Sequence, residues 1–364
     1  MAAACAAHGE NFTNFPGFTE YFDRYKPLDA IPNQQQRLLL EKYRPRIYRS
    51  VSKDGIAQQG PVDFYKDYIS DGRLLVDGKV ISQQVTAELL NQNRDNSNAK
   101  FEYGGRYRKD SDAVVYGRFD TDTLAYDDTE IPLEFLSYNL VFPTSGMLRG
   151  LGTLKTLGLT IAGSLNDWHQ LDHYVGLTIA LRNREPIAVT LQQHNYQTTY
   201  LVDVELNLPE DHRVEVDIAM RSNELYLHSD KEVRHPAVSF IAAKNIEFIK
   251  IGGNKPFMAG FDVTRGDSEI NYQLKYLPQT DAFYQFKGHL GKSRLLPGRD
   301  GPPGADYTTL PGLMPRAIRM VTGYRPGSIT AEQQKITQLL DIENFRVKPE
   351  GIDTYVKDFL QALP

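Results

Sequence analysis

The residues best suited to chemistry form a polar group at 166–174, near the middle of the chain. A second polar group lies at 192–197 and contains His194. Each group borders a run of apolar and β-branched residues, which predicts two strands at 174–181 and 187–195. Because successive strands usually pair, we expect the start of the first strand to lie beside the end of the second. This pairing would bring Asp172 and His173 close to His194.

Imidazole nitrogens and carboxylate oxygens meeting at one sheet edge predict a site for one divalent cation: Mg, Ca, Mn or Zn. The predicted ligands are His169, Asp172, His173 and His194. Asp167 is the candidate base that would take a proton from metal-bound water. The residues predicted to contact a ligand are Trp168, Tyr174, Asn195 and Tyr196. The alternative is that these histidines only hydrogen-bond their neighbours at a half-buried sheet edge.

Composition and missing motifs exclude several functions. The net charge of −5 argues against nucleic-acid binding, which requires a concentrated basic surface. The sequence has no phosphate-binding Walker loop and no dinucleotide fingerprint, so we expect no nucleotide cofactor. It has no Gly-x-Ser-x-Gly motif either, so a serine hydrolase would need a different geometry. A group of carboxylates is predicted to lie in one loop and to face water. The alternative is a calcium site, against which stands a spacing that does not follow an EF-hand. The members of this group are Asp120, Asp122, Asp127, Asp128 and Glu130.

Cys5 is the only cysteine of the chain, so an internal disulfide and a cysteine-based metal site are both excluded. The small residues around Cys5 resemble the lipobox of a bacterial lipoprotein signal, although a charged region and an apolar region are absent before it. This resemblance implies export to the periplasm or outer membrane, with a lipid anchor through Cys5. The alternative is an arbitrary alanine-rich start of a cytoplasmic protein.

No transmembrane span is predicted. The most apolar stretch, at 147–165, contains Arg149, Lys155 and several glycines. A membrane-spanning helix needs about 20 mainly apolar residues. We therefore expect this stretch to form a buried helix or hairpin.

The fold is predicted to be mostly β: an antiparallel, jelly-roll-like β-sandwich with peripheral helices at the N- and C-termini. Apolar and polar residues alternate in several runs, which is typical of strands with one face in water. The predicted strands include 114–119, 135–142, 200–208, 213–220 and 283–287. The predicted helices are 34–43, 330–340 and 351–363. We expect an irregular leader at 1–35, a sandwich domain at 36–290, and a Gly/Pro-rich linker with C-terminal helices at 291–364.

Several short segments resemble β-sandwich proteins of the necrosis-inducing family and of a family named for a yeast vacuolar-sorting protein. These segments are Leu39–Tyr48, Leu136–Phe142, His169–Tyr174, Leu191–Asn195 and His235–Ser239. The resemblance covers about half of the chain. It implies a metal site in which His169, Asp172 and His194 match family ligands. Tyr174 stands where the family has a ligating glutamate, which puts that site in doubt.

Three functions remain open on the sequence. The first is an exported, envelope-associated binding protein that presents some of its 21 tyrosines to a glycan, a lipid or an envelope protein. The second is a metal-dependent hydrolase of an envelope glycan or ester. The third is a structural envelope lipoprotein. Because the family's glutamate is missing, the sequence favours binding over catalysis.

Overall fold

The computed structural model of this chain describes residues 26–50, 60–104, 112–126, 128–144, 170–193, 196–237, 260–292, 301–306, 316–324 and 349–364. The α-helices in these residues are α1 Gln34–Lys42, α2 Ala87–Gln92, α3 Ala282–Gln285, α4 Arg316–Gly323 and α5 Pro349–Ala362. A π-helical turn, Phe64–Tyr68, and a 3-10 turn, Ile69–Asp71, precede the second strand. The strands are β1 Arg46–Arg49, β2 Gly72–Val76, β3 Lys79–Ser82, β4 Ala99–Tyr103, β5 Ala113–Tyr126, β6 Thr129–Thr144, β7 Gln170–Arg182, β8 Glu185–Gln193, β9 Tyr196–Leu201, β10 Glu215–Ile218, β11 Leu225–Leu227, β12 Val233–Ala237, β13 Gly260–Thr264, β14 Ser268–Glu269, β15 Tyr272–Lys275 and β16 His289–Leu290.

Helix α1 forms as predicted because its first turn has a capping box. The side chain of Asn33 accepts a hydrogen bond from the backbone NH of Gln36 at 3.0 Å, and the side chain of Gln36 accepts one from the NH of Asn33 at 2.8 Å. These bonds satisfy two of the donors that a helix start leaves open. The predicted C-terminal helix at 351–363 is confirmed as α5, whereas the predicted helix at 330–340 lies outside the described residues.

A six-stranded sheet, in the order β15-β5-β6-β7-β8-β9, forms the centre of the molecule. Its longest strands, β5 and β6, pair antiparallel over most of their length. A second sheet, in the order β11-β10-β1-β14, covers one face of the central sheet. The two sheets share an apolar core that includes Ile47, Leu136, Leu140, Ile179 and Val216. The mostly β class is therefore confirmed, and the two sheets pack as a sandwich.

The sheets are mixed rather than wholly antiparallel. β1 pairs in parallel with β10, β15 with β5, and β16 with β4. Each of these pairs joins strands that are far apart in the chain, so a tight turn does not fix their direction. Alternation of apolar residues tells which face a side chain occupies, and it does not encode strand direction.

The other face of the central sheet is covered at its two ends by different elements. At one end, α3 and the sheet β16-β4-β2-β3 pack on an apolar cluster that includes Val114 and Val141. At the other end, α4 and α5 pack on a cluster that includes Leu124, Phe135 and Phe359. The helices that follow the Gly/Pro-rich segment therefore lie on the sandwich. Between the two apolar clusters, the same face of the central sheet carries polar side chains.

Two predicted strands differ from the structure. The residues expected to form a strand at 283–287 instead belong to α3 and the residues just after it, because Asp281 caps this helix by accepting the NH of Phe283 at 2.8 Å. The strand expected at 200–208 ends at Leu201. Asp203 has a φ of 64°, and the NH of Glu205 bonds to the carbonyl of Leu201 at 2.9 Å, which closes a turn.

The structure leaves the predictions about lipid attachment open. Within the described ranges, no helix combines the length and the apolar character needed to cross a membrane. The apolar stretch at 147–165 and Cys5 lie outside those ranges. A lipid anchor at Cys5 therefore stays a prediction.

Candidate functional site

The hairpin that was predicted to carry a metal site is present. β7 and β8 pair antiparallel, with Val175 opposite Gln193 at the end where the polar groups lie. Asp172 and His173 occupy β7, and both are fully buried. The other predicted residues are Tyr174 in β7, Tyr196 in β9, and Asp167, Trp168, His169, His194 and Asn195, which lie outside the described residues.

Asp172 and His173 occupy opposite faces of the central sheet. Oδ2 of Asp172 accepts a hydrogen bond from Nδ2 of Asn223 at 2.8 Å, on the side of the second sheet. Nε2 of His173 donates to the carbonyl oxygen of Pro303 at 2.7 Å, and its ring packs edge-on against Phe283 on the other side. Adjacent residues of a strand alternate between faces. The structure therefore does not bring these two side chains to one cation.

No group of three His, Cys, Asp or Glu side chains in the described part of the chain lies close enough together to hold a metal ion. His169 and His194, which the cation prediction also requires, are not among the described residues. Metal binding at this edge therefore stays a prediction, and the side chains of Asp172 and His173 contact groups on opposite faces of the sheet.

A second group of polar residues lies in the middle of the central sheet, on the face away from the second sheet. Two adjacent rows of directly paired positions cross β5, β6, β7, β8 and β9. The first row is Arg118, Ser137, Thr178, Thr190 and Thr199, and the second is Tyr116, Asn139, Gly176, Gln192 and Gln197. We call these ten residues the polar band. The band separates the two apolar clusters on this face, and all its side chains are buried except that of Thr178, which is half-buried.

The sequence does not indicate this band, and it predicts that the neighbouring Asp120 and Asp122 lie in a water-facing loop. That prediction is wrong: both residues belong to β5, and Asp120 is only 7% exposed. The alternation from Val114 to Leu124 held the signal, since every second residue in this run lies on one face. A charged residue such as Arg118 within that alternation indicates a polar site on a strand rather than a loop.

Four charges from three separate parts of the chain form what we call the charge quartet: Arg118, Asp120, Asp306 and Arg316. Oδ2 of Asp120 lies 3.2 Å from Nε of Arg118 and 2.9 Å from Nε of Arg316. Oδ2 of Asp306 accepts a hydrogen bond from Nη1 of Arg118 and lies 3.7 Å from Nη2 of Arg316. Each of the four side chains is less than a tenth exposed. Each of the two buried aspartates therefore lies close to both arginines.

Burial raises the pKa of the Asp120 carboxyl above its ordinary value, and the positive charge of Arg118 offsets only part of this rise. The nearby Asp306 carboxylate raises it further, whereas a hydrogen bond from Gln279 and the charge of Arg319 lower it. Nε2 of Gln279 donates to Oδ1 of Asp120 at 2.5 Å. The ionised form of Asp120 therefore depends on the cations that surround it.

Helix α4 lies on the band through polar contacts as well as apolar ones. Arg319 donates to the side-chain oxygen of Gln192 and lies 3.4 Å from that of Gln197. Nε2 of Gln197 donates in return to the carbonyl of Arg319 at 2.5 Å, and Oγ1 of Thr199 donates to the carbonyl of Met320 at 2.8 Å. The helix therefore covers the band and is held there by hydrogen bonds between polar groups.

Two buried polar atoms near Arg118 have no hydrogen-bond partner among the described residues: Oδ1 of Asn139 and the hydroxyl of Tyr284. Asn139 is 7% exposed and Tyr284 is fully buried. The guanidinium of Arg118 lies over the Tyr284 ring, 4.7 Å from its centroid. Asn139 is the next residue on the same face after Ser137, which pairs directly with Arg118. An unsatisfied buried polar group costs about 1–3 kcal/mol, so these two atoms weaken the fold unless they serve another purpose.

Gly176 makes room for the amide of Asn139. A Cβ at Gly176 would lie 2.6 Å from the carbonyl oxygen of Tyr138 and 3.3 Å from Nδ2 of Asn139. Burial also raises the pKa of Tyr284 far above its ordinary value, so its hydroxyl keeps its proton and can donate. The site thus offers an acceptor, a donor and a guanidinium within one buried region.

Comparisons with known proteins add no assignment to this geometry. No protein-family model, no curated protein and no solved structure matches the chain. The resemblance to the necrosis-inducing and vacuolar-sorting families therefore stays a prediction from the sequence. The function must be inferred from the described residues themselves.

Proposed function

We propose that this chain is a non-enzymatic binding protein that takes a polyhydroxylated ligand of the glycan class on the polar band. One observation carries the proposal: Oδ1 of Asn139 and the hydroxyl of Tyr284 are buried near Arg118 without a hydrogen-bond partner among the described residues. Natural folds bury very few such groups. A protein can keep buried polar groups that destabilise its free state when a ligand forms hydrogen bonds with them.

The chemistry of the band supports a hydroxylated ligand over a lipid chain. Asn139 requires a donor, whereas Arg118 can only donate, so a ligand that bridges them must do both. A sugar hydroxyl donates one hydrogen bond and accepts others. An acyl chain does neither, and it would leave Oδ1 of Asn139 and the hydroxyl of Tyr284 without a partner.

The state of the two carboxylates supports binding over hydrolysis. Asp120 and Asp306 each lie close to both Arg118 and Arg316, and Asp120 also accepts a hydrogen bond from Gln279. Both oxygens of Asp120 are engaged by these groups, so neither is open to a water molecule or a substrate, and a base must reach the proton that it takes. Export, attachment through Cys5 and a divalent cation remain predictions from the sequence, outside this proposal.

Entry of a ligand requires the cover of the band to move. α4 and residues 301–306 lie over the band, and part of their attachment consists of hydrogen bonds from Gln197, Thr199 and Arg118. Ligand hydroxyls can replace such bonds one for one, so the main cost of opening is the separation of α4 from the apolar cluster that includes Leu124 and Phe135.

A glycan array tests the proposal across many sugars at once. We expect the labelled wild-type protein to bind at least one neutral glycan. Titration calorimetry with that glycan should show binding weakened about 10-fold to 100-fold in Asn139→Leu, since the ligand loses its acceptor. Asn207→Leu, the same substitution at an exposed residue, is the matched control and should bind normally. No bound glycan, or equal affinity in the two variants, would show that the band is not a glycan site.

A further inference from the structure

Asp306 occupies its position in the charge quartet in the way a bound carboxylate would. Its Oδ2 accepts a hydrogen bond from Nη1 of Arg118 and lies 3.7 Å from Nη2 of Arg316, and the residue is 3% exposed. Two guanidinium groups that converge on one carboxylate are a common way for proteins to recognise acids. Here the acid comes from the chain itself.

The segment that carries Asp306 is bonded to the backbone of Tyr284, whose side-chain hydroxyl has no hydrogen-bond partner within the described ranges. The NH of Asp306 bonds to the carbonyl of Tyr284 at 2.9 Å, and the NH of Ala305 bonds to the carbonyl of Phe283 at 2.8 Å. In contrast, Arg118 and Asp120 are fixed on β5 within the central sheet. The carboxylate of Asp306 is therefore held by a short segment next to the site, whereas its main cationic partner is part of the rigid sheet.

If the Asp306 side chain leaves the charge quartet, the net positive charge that remains around Arg118 favours binding of an anion. Arg118, Arg316 and Arg319 supply three positive charges, and Asp120 and Asp306 supply two negative ones. Without Asp306, two of these positive charges are unbalanced. Asp122 supplies one more negative charge at the partly exposed rim, where its Oδ2 accepts the NH of Ala317. One charge then remains, and a monoanion neutralises it.

We infer that the ligand carries a carboxylate beside its hydroxyls, as sugar acids do, and that this carboxylate takes the place of Asp306 between Arg118 and Arg316. The inference rests on the proposed function, because it places the acid next to Asn139 and Tyr284. Asp306 then keeps the free protein neutral at this position and leaves when the ligand binds. Binding by exchange of one carboxylate for another avoids burying an unpaired charge at either stage.

Acetate and the Asp306→Ala variant test the anion position by itself. Removal of the side chain leaves space for a small carboxylate, so we expect acetate to raise the melting temperature of Asp306→Ala by about 2–4 °C. Asp306→Asn fills the same space with an uncharged amide and should not respond. Sodium chloride at equal ionic strength is the control for screening. An equal response to acetate and chloride, or an equal response of the two variants, would overturn the inference.

A pair of matched sugars separates this inference from the proposed function. D-glucuronate and D-glucose differ at one carbon, which is a carboxylate in the first and a hydroxymethyl group in the second. We expect D-glucuronate to bind wild-type protein at least about 10-fold more tightly, a measurement that does not depend on the folding of a variant. Equal affinities for the two sugars would overturn the inference that a carboxylate replaces Asp306. Preferential binding of neutral glycans on the array would overturn it too. Either result would leave the proposed glycan binding intact. A failure of both proposals would appear as no glycan binding of either kind.

Discussion

Replacing Arg118 by methionine should lower the free energy of unfolding by about 3–5 kcal/mol, because it leaves two carboxylates buried with one guanidinium fewer. Arg118 is 2% exposed and contacts both Asp120 and Asp306. Methionine keeps much of the side-chain volume, so the loss reflects charge rather than a cavity. Denaturant unfolding of the two proteins at pH 7 measures the difference.

The exposed ion pair between Arg73 and Glu102 is the matched control. Its shortest N–O distance is 2.7 Å, similar to those of the quartet, but Arg73 is 46% exposed. We expect Arg73→Met to change the free energy of unfolding by no more than about 1 kcal/mol. A similar loss in both variants would mean that burial of the quartet is not what gives Arg118 its effect.

The loss in Arg118→Met should also depend on pH. Burial raises the folded-state pKa of Asp120, and Arg118 is a main group that opposes the rise. A carboxyl with a raised folded pKa is most favourable to folding when protonated, below its unfolded pKa of about 3.9. That contribution is lost as the pH rises through the folded pKa. The deficit of Arg118→Met should therefore shrink as the pH is lowered from 7 toward 4.

Gly176→Ala should lower the free energy of unfolding by about 1–3 kcal/mol, since the new methyl group has no room. It would lie 2.6 Å from the backbone carbonyl oxygen of Tyr138, which cannot move without shifting β6. It would also lie 3.3 Å from Nδ2 of Asn139. The substitution should therefore weaken the proposed glycan binding as well, because it displaces the Asn139 amide that we propose contacts the ligand.

Gly60→Ala is the control for this substitution, since a Cβ at Gly60 meets no atom within 4 Å. Such a change is expected to be neutral or to stabilise the protein by up to about 1 kcal/mol, through the lower entropy of the unfolded chain. If Gly176→Ala and Gly60→Ala change the free energy of unfolding and the glycan affinity equally, Asn139 is not packed closely against β7 at Gly176.

Much of the fold could be predicted from local patterns. The hairpin of β7 and β8 follows from two β-branched runs separated by a turn at Asn183 and Arg184, both of which have positive φ. Helix α1 follows from its cap and its leucines. The pattern at 283–287 was misleading because aromatic residues are common in strands, whereas Asp281 starts a helix there. Strand direction could not be predicted, because alternation is the same in parallel and antiparallel strands.

The site was predictable only in part. Arg118 and Asp120 could have been placed on one strand face from the alternation of β5. Their partners Asp306 and Arg316 lie about 190 residues further along the chain, and no local pattern links positions so distant. Asp172 and His173 show a second limit. The hairpin predicted to bring them near His194 is present, but neighbouring residues on a strand face opposite sides of the sheet.

We propose that the polar band and its surroundings contain buried polar groups that only a ligand satisfies, and two fully buried tyrosines test this directly. The hydroxyl of Tyr138 donates to the carbonyl of Leu40 at 2.9 Å, whereas that of Tyr284 has no partner among the described residues. In the free protein, Tyr138→Phe should lower the free energy of unfolding by about 1 kcal/mol, and Tyr284→Phe should raise it by a similar amount. If Tyr284→Phe is as destabilising as Tyr138→Phe, the hydroxyl of Tyr284 is already bonded, and the band is structural rather than a binding site.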